Sequence, residues 1–270
     1  MSKKSERIDV LLVQRGLVSS RERAKQLIMA GNVFVNDQMV DKSGKMVSTD
    51  STIILKEPNS CPYVSRGGLK LKKAIDEFHI DATGKTAIDV GASTGGFTDC
   101  LLQHGADFVY AVDVGYGQID WKIRNDERVG VIERTNIRYI KLDQFQRQID
   151  LAVIDVSFIS LDKVIPIVNL LIKPEGDIIA LIKPQFEAGR EFVRKGIVRD
   201  PEIHRAVIRN ISDLAIKEGL TIRGLTFSPI KGPSGNIEFL IWLQKRYCDQ
   251  DMDNIFKLID SVIFEAQNIN

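Results

Sequence analysis

TAIDVGASTGGFTDCLL, residues 86–102, is the stretch on which the reading of this chain turns. An apolar run breaks into the small residues GASTGG and resumes as an amphipathic segment, the pattern of a strand, a tight turn and the start of a helix. Many proteins hold a cofactor in such a turn, and three cofactors compete for this one. A phosphate-cradling loop needs Lys-Ser/Thr after its last glycine, but Phe97-Thr98 follow here. A dinucleotide turn needs a glycine at its third position so that the backbone can approach a pyrophosphate, and this chain has Ser93. S-adenosylmethionine carries no phosphate, so Ser93 is acceptable while Gly91, Gly95 and Gly96 still let the chain bend close to a ligand. The next strand ends in Asp113, 22 residues after Gly91. A carboxylate there accepts the ribose hydroxyl protons of an adenosine. Asn136, in ERTNIR, is a candidate contact on the adenine side. GASTGG alone also fits a plain strand-to-helix turn; the register of strand, turn, helix, strand and acid favours adenosylmethionine.

The surroundings extend this pattern. From Arg66 onward strands are expected near 86–90, 108–112, 129–132, 150–154, 177–182, 220–227 and 237–243. Helices are expected near 67–79, 95–104, 119–126, 162–172, 201–218 and 252–267. Such alternation implies an α/β fold, a mostly parallel sheet with helices on both faces. Residues 1–60 read differently. Ile8, Leu11 and Leu12 mark a first helix ended by Gly16, and Ser19 with Glu22 reads as a capping box opening a second. VFVND, MVDKSGKMV and STIIL then alternate as one small curled sheet. The expected division is a small α+β domain at 1–60, a linker at about 56–65 containing Pro58 and Pro62, and a large domain at 66–270.

Chemistry in an open α/β sheet gathers outside the carboxyl ends of its strands. LAVIDVSF ends its strand with Asp155, and IIALIKPQF ends its strand with Lys183 before Pro184. SGNIEFLIWL places Glu238 at the start of an apolar strand, and SRGGLKL places Lys70 on the helix leading into the sheet. A strand-end Asp is often a cap and a helix Lys is often solvated, but Lys183 follows a wholly apolar run, and buried lysine is almost always paired. Methyl transfer to a hydroxyl is an in-line displacement in which the hydroxyl loses its proton. A lysine serves as base when burial or a neighbouring cation favours its neutral form. Lys183 fits that part, with Lys70 and a cationic cofactor as neighbours and with Asp155 and Glu238 holding the lysines. An adenine-amine methyltransferase would show Pro-Pro-aromatic after the strand-end acid, where this chain has Val156-Ser157-Phe158. A cytosine-carbon enzyme would show a Pro-Cys nucleophile, and neither Cys100 nor Cys248 has that context. A ribose oxygen is therefore the favoured acceptor.

Taken in order, SRGGLKL, DVGASTGGFTD, AVDVG, DVSFIS, LIKPQFEAGR and SGNIEF closely resemble the TlyA (hemolysin A) family of ribosomal RNA 2′-O-methyltransferases. The large domain is similar to the FtsJ/RrmJ-like ribose methyltransferases and the small one to the RNA-binding module of ribosomal protein S-four. The resemblance spans essentially the whole chain. It implies a Rossmann-like class I methyltransferase fold, S-adenosylmethionine as cofactor and a Lys-Asp-Lys-Glu tetrad carried over to Lys70, Asp155, Lys183 and Glu238. Lys183 would be the group that meets the ribose hydroxyl. It further implies cytidine in the RNA of assembled ribosomal subunits as target, in small- and large-subunit RNA or in the latter only. The expected cofactor set is Asp89, Gly91, Ser93, Gly95, Gly96, Phe97, Asp113, Asn136 and Asp155.

Charge distribution agrees with an RNA partner. The chain of 270 residues has net charge +1, yet residues 1–60 hold ten Lys/Arg against seven Asp/Glu. Lys3, Lys4, Arg7, Arg15, Arg21, Arg23 and Lys25 supply that excess, with Arg21 and Lys25 one helical turn apart. Such a face alone is usually just solvated; the S-four resemblance turns it into an RNA surface. Arg66 and the loop after Lys183, with Arg190, Arg194, Lys195 and Arg199, form a second candidate surface beside the proposed base. Scattered Cys and His residues give no disulfide framework and no metal pattern. No signal segment and no apolar run near ~20 residues is expected to take the chain into a membrane. The expected protein is cytoplasmic, a monomer or weak homodimer, without a metal. A non-catalytic ribosome-assembly factor and a membrane-lytic hemolysin are the rival functions.

Overall fold

In the computed structural model, residues 5–18, 20–55, 61–232 and 234–268 are described. The chain divides into two compact units, residues 1–62 and 63–270. In the first, a short strand β1 (Ser5–Arg7) runs into α1 (Ile8–Gln14), followed by α2 (Arg21–Met29). Four short strands follow, β2 (Val33–Val35), β3 (Gln38–Met39), β4 (Met46–Ser48) and β5 (Ile53–Leu55). Ile8, Leu12, Ala24, Ile28 and Val33 are fully buried and form its core. The single curled sheet expected from sequence is two antiparallel sheets, β1-β4 and β3-β2-β5. β1 escaped notice because Ser-Glu-Arg has no alternation to read. The cap of α2 is also one residue later than expected. Ser20 Oγ accepts the Arg23 N–H at 3.1 Å, and Ser19 lies outside the described residues.

The second unit begins with α3 (Gly67–Phe78), β6 (Thr86–Val90) and α4 (Gly96–Gln103). It continues through β7 (Phe108–Val112), α5 (Trp121–Arg124), β8 (Val129–Ile132), β9 (Ile149–Ile154) and α6 (Ile165–Leu171). β10 (Ile172–Ile182), α7 (Pro184–Glu187), α8 (Pro201–Lys217), β11 (Thr221–Phe227), β12 (Phe239–Gln244) and α9 (Met252–Gln267) complete it. The seven strands lie in the order β11-β12-β10-β9-β6-β7-β8. Every residue of β6 is buried, which is why its sequence, TAIDV, shows no polar–apolar alternation and carries a buried Asp89. β6 to β10 are mutually parallel where they pair, while β12 runs antiparallel to both β10 and β11. This is the Rossmann-like class I arrangement. The order reverses at β6, with β7 on one side and β9 on the other, and ligands of open α/β sheets settle outside the carboxyl ends at such a switch.

One buried charge organises the small unit. Asp9 is fully buried at the start of α1, where Arg7 donates to it through Nε at 3.0 Å and Nη2 at 3.1 Å, and Arg21 through Nη2 at 2.9 Å. The Arg7 hydrogen bond holds the Asp9 carboxyl well below the usual carboxylate range, against the opposing effect of burial. Asn cannot satisfy both guanidinium groups, so Asp9→Asn should lower stability in denaturant titration by about 1–3 kcal/mol, the arginines being half exposed. Because the folded value lies below the unfolded 3.8, this contribution is complete above that pH and is lost as the pH falls through the folded value.

Candidate active site

The turn between β6 and α4 is shaped by protein neighbours as much as by room for a ligand. Gly91 has φ +89°, and a Cβ there would lie 2.6 Å from the Asp155 carbonyl oxygen, so β6 and β9 converge only around a residue without a side chain. At Gly96 a Cβ would collide with Ser65 Oγ and approach Gly68 N to 3.0 Å; the close approach of α3 to α4 requires that glycine. Ser93 takes a left-handed conformation with φ 48°, and its N–H donates to Asp113 Oδ2 at 2.8 Å. Gly115 N–H donates to the other Asp113 oxygen at 2.6 Å. Two backbone donors thus fix the half-buried carboxylate and leave each oxygen a further lone pair for a ribose hydroxyl. Gly95 caps α4.

Asp89 and Phe97 play a different part from direct contact. Their side chains are 0% and 3% exposed and brace the turn from within. Asp89 Oδ2 accepts from Thr98 Oγ1 at 2.7 Å, while Oδ1 has no hydrogen-bond partner. Burial, with the carboxylates of Asp155 and Asp113 adding to it, pushes the Asp89 carboxyl up to about 7. Asn136 caps a 3₁₀ turn through its side-chain oxygen, which accepts from Arg138 N–H at 3.1 Å. Three carboxylates therefore surround a turn that carries no lysine or arginine of its own. This donor set suits a ligand with cationic sulfonium and amino groups and no phosphate, so the residues fit S-adenosylmethionine.

Beside the turn the four polar residues singled out from sequence form two ion pairs. Lys70 Nζ lies 2.5 Å from Glu238 Oε2, with side chains 9% and 1% exposed. Lys183 pairs with Asp155 Oδ1 and donates to Ser157 Oγ at 3.1 Å. Each lysine thus rests against a carboxylate. Sheet register brings the pairs together: Ile182 faces Phe239, so one step further on Lys183 stands beside Glu238, while β9 delivers Asp155 on the other flank. Glu238 immediately precedes its strand rather than following it, and reaches this edge because β12 runs backwards.

Phe158 was not anticipated. It is 91% exposed, adopts φ 63° and lies with its ring centroid 5.0 Å from that of Phe186, directly after Lys183-Pro184-Gln185. A bulky residue in the left-handed region with its ring in water is costly on both counts. The only signal in the sequence was an aromatic next to the strand-end acid.

Among the basic candidates, Arg7 and Arg21 hold Asp9, and Arg15 donates to the carbonyls of Ser51 and Thr49. These three are therefore structural first. Even so, two half-exposed guanidinium groups on one carboxylate leave a net positive charge. Arg23 donates to Gln26, and Lys25 is exposed on α2. Lys3 and Lys4 lie outside the described residues. Arg66 is half-buried at the cap of α3, while Arg190, Arg194, Lys195 and Arg199 are exposed on the loop after Lys183. Among the described residues no cluster of His, Cys, Asp or Glu is placed to hold a metal ion, and no helix is long and apolar enough to cross a membrane.

Comparison with known proteins adds independent findings. The family model of FtsJ-like methyltransferases matches residues 63–245, and that of the S4 domain matches residues 6–53. A Bacillus subtilis protein provisionally named an rRNA methyltransferase is 53% identical over 90% of this chain and 87% of its own length. The 16S/23S rRNA (cytidine-2′-O)-methyltransferase TlyA of Mycobacterium tuberculosis is 41% identical over 88% of this chain and 89% of its own. A solved structure from Streptococcus thermophilus, carrying a provisional hemolysin name, is 43% identical and superposes with TM-score 0.77 over 98% of this chain and 97% of its own.

The raised Asp89 carboxyl makes stability depend on pH. Its folded value lies above the unfolded 3.8, so the stabilisation is complete below 3.8 and is lost as pH rises through about 7. Thermal unfolding of the ligand-free protein should show a Tm that falls between about pH 5 and pH 8. Asp89→Asn, which keeps an acceptor for Thr98, should flatten that fall and gain on the wild type at the higher pH.

Proposed function

The chain belongs to the FtsJ-like methyltransferases, and from that premise we propose that it methylates the 2′-hydroxyl of a ribose in ribosomal RNA, at a cytidine within assembled subunits. The observation that carries this reading is the double ion pair, Lys70–Glu238 and Lys183–Asp155, standing beside an acidic cofactor turn. Relatives named as rRNA (cytidine-2′-O)-methyltransferases and the matched S4 domain support the choice of substrate.

S-adenosylmethionine, when bound, supplies an electrophilic methyl group on a cationic sulfur. Asp113 would accept from its ribose hydroxyls, and the carboxylates of Asp89 and Asp155 would balance its positive charge. Lys183 acts as general base. Unprotonated Nζ would take the 2′-hydroxyl proton, freeing that oxygen for the methyl group the cofactor would supply, with the sulfur as leaving group. Asp155 and Ser157 fix the direction of Nζ, so the base is held in place rather than searching through its rotamers. Lys70, held by Glu238, adds a second positive charge at the same edge. There it would attract the developing oxyanion. Residues 1–60, with Arg7, Arg15, Arg21, Arg23 and Lys25, form the RNA-binding domain. The loop from Arg190 to Arg199 grips phosphates near the target. Phe158 presents a ring face on which a base beside the reacting ribose stacks.

Label transfer from S-adenosylmethionine to isolated ribosomal subunits, followed by mapping of the methylated nucleotide, tests the reading. The wild type should label a cytidine 2′-oxygen. Lys183→Ala should reduce transfer by about 10²–10⁴-fold with cofactor affinity unchanged, the range expected for loss of a general acid–base group. Binding of subunits without label transfer would point to an assembly factor instead, and leakage of liposomes by pure protein would point to a lytic one. Phe158→Ala should raise KM for RNA by about 5- to 100-fold, from the usual worth of base–aromatic stacking, and leave cofactor affinity unchanged.

A further inference from the structure

Asn236 lies two residues before Glu238 and is 1% exposed. Its side chain is spent on another segment of the chain. Val198 N–H donates to Asn236 Oδ1 at 2.9 Å, and Asn236 Nδ2 donates to the Gly196 carbonyl at 2.8 Å. Both partners belong to a hairpin closed by reciprocal Arg194–Ile197 hydrogen bonds, each 3.0 Å. Lys195 and Gly196 form its two-residue tip with φ 52° and 80°, the positive pair of a type I′ turn. Arg194 and Lys195 are exposed.

A second buried group supports the same hairpin. His204, 2% exposed, has Nε2 3.1 Å from the Val198 carbonyl, and its ring meets Phe239 edge-on at 5.4 Å. Burial pulls the imidazole below its ordinary value, so at neutral pH it is a neutral ring whose Nε2–H donates. The backbone of Asn236 meanwhile closes the turn that holds Glu238. Gly232 N–H donates to the Asn236 carbonyl at 2.9 Å, and Glu238 Oε1 fills the space a Gly232 side chain would need. One amide therefore joins an exposed cationic hairpin to the turn that carries a member of the ion-pair row.

Val198 is 2% exposed, so its N–H and carbonyl need the partners that Asn236 and His204 supply, and the clamp thereby fixes the tip beside them. An Arg194 and Lys195 that must meet phosphates at a fixed distance from the reacting ribose gain from such a fixed tip, since a displacement near 1 Å can cost about 10²-fold in rate. We propose that Asn236 is a positioning residue that ties the RNA-contacting hairpin at Arg194–Lys195 to Glu238 and, through that carboxylate, to Lys70. The proposal rests on the reading of this chain as an RNA ribose methyltransferase, with the basic loop as its phosphate grip.

A double-mutant cycle tests it, because coupled residues depart from additivity and independent ones do not. On ribosomal subunits, Lys195→Ala in the wild-type background should raise KM about fivefold, and Asn236→Ala about tenfold with a smaller fall in kcat. Adding Lys195→Ala to Asn236→Ala should cost less than about twofold more, since an untethered tip no longer delivers its charge. Asn236→Asp keeps the acceptor for Val198 and loses the donor to Gly196, so its KM should fall between those of wild type and Asn236→Ala. If Asn236→Ala does not fold, Asn236→Asp carries the same cycle. Affinity for S-adenosylmethionine should stay within about twofold throughout. Hydrogen exchange, which needs no activity, should show faster exchange over 194–198 in the variant with β6 and α4 still protected. Additive penalties in the cycle, or an undiminished protection of the hairpin, would overturn the tether while leaving the proposed reaction intact. A wild type that folds and binds cofactor but transfers nothing to ribosomal RNA would overturn the reaction, and hydrogen exchange would still decide the tether.

Discussion

An ammonium group removed from water needs a carboxylate, and at one edge of this sheet that need arises twice. Lys70 and Lys183 are 7% and 8% exposed, and neither would be stable there alone. A purely parallel sheet presents only strand ends at its functional edge. Reversing β12 lets the residue just before a strand join them. The outcome is a row in which charge alternates across neighbouring elements: Asp155 after β9, Lys183 after β10, Glu238 before β12 and Lys70 on α3. Removing any one member leaves a like or unpaired charge at low exposure, so the row is held by mutual need rather than by any single bond.

The same economy of space governs the cofactor turn. Gly91 and Gly96 were read as making room for a ligand, but their nearest neighbours are protein: the Asp155 carbonyl for the first, Ser65 and Gly68 for the second. Close approach of β6 to β9 brings Asp155 within electrostatic reach of Asp89. Tight packing therefore gathers carboxylates around the turn, and the glycines matter first for the convergence they allow.

Much of this was legible beforehand, for physical reasons. Buried parallel strands are mostly apolar runs, so β6, β7 and β9 could be read within a residue or so, and the polar residue ending such a run is conspicuous, as Lys183 was. Strand direction leaves no such mark. The apolar run of β12 looks alike whichever way it points, and only the structure explains why Glu238 at a strand start meets Lys183 at a strand end. Short elements were lost for want of pattern. Ser-Glu-Arg carries no period for β1, and adjacent serines gave no way to choose the cap of α2. Arg7 and Arg21 looked like free surface charge because their partner, Asp9, is one carboxylate in a helix that reads as amphipathic. Phe158 was missed because exposure is a property of packing, and an aromatic in a sequence gives no sign that it is left in water.

The position of β12 between β10 and β11 also sets an order of assembly. β11 is made first, yet it has no neighbour in the sheet until β12 is synthesised and folds back to fill the gap. Lys70 waits across 168 residues of chain for Glu238. A nascent chain that has reached the end of β11 already contains the cofactor turn, Asp113, Asp155 and Lys183, but no partner for Lys70. The Lys183–Asp155 pair can thus form before the Lys70–Glu238 pair, which closes only with the last strand.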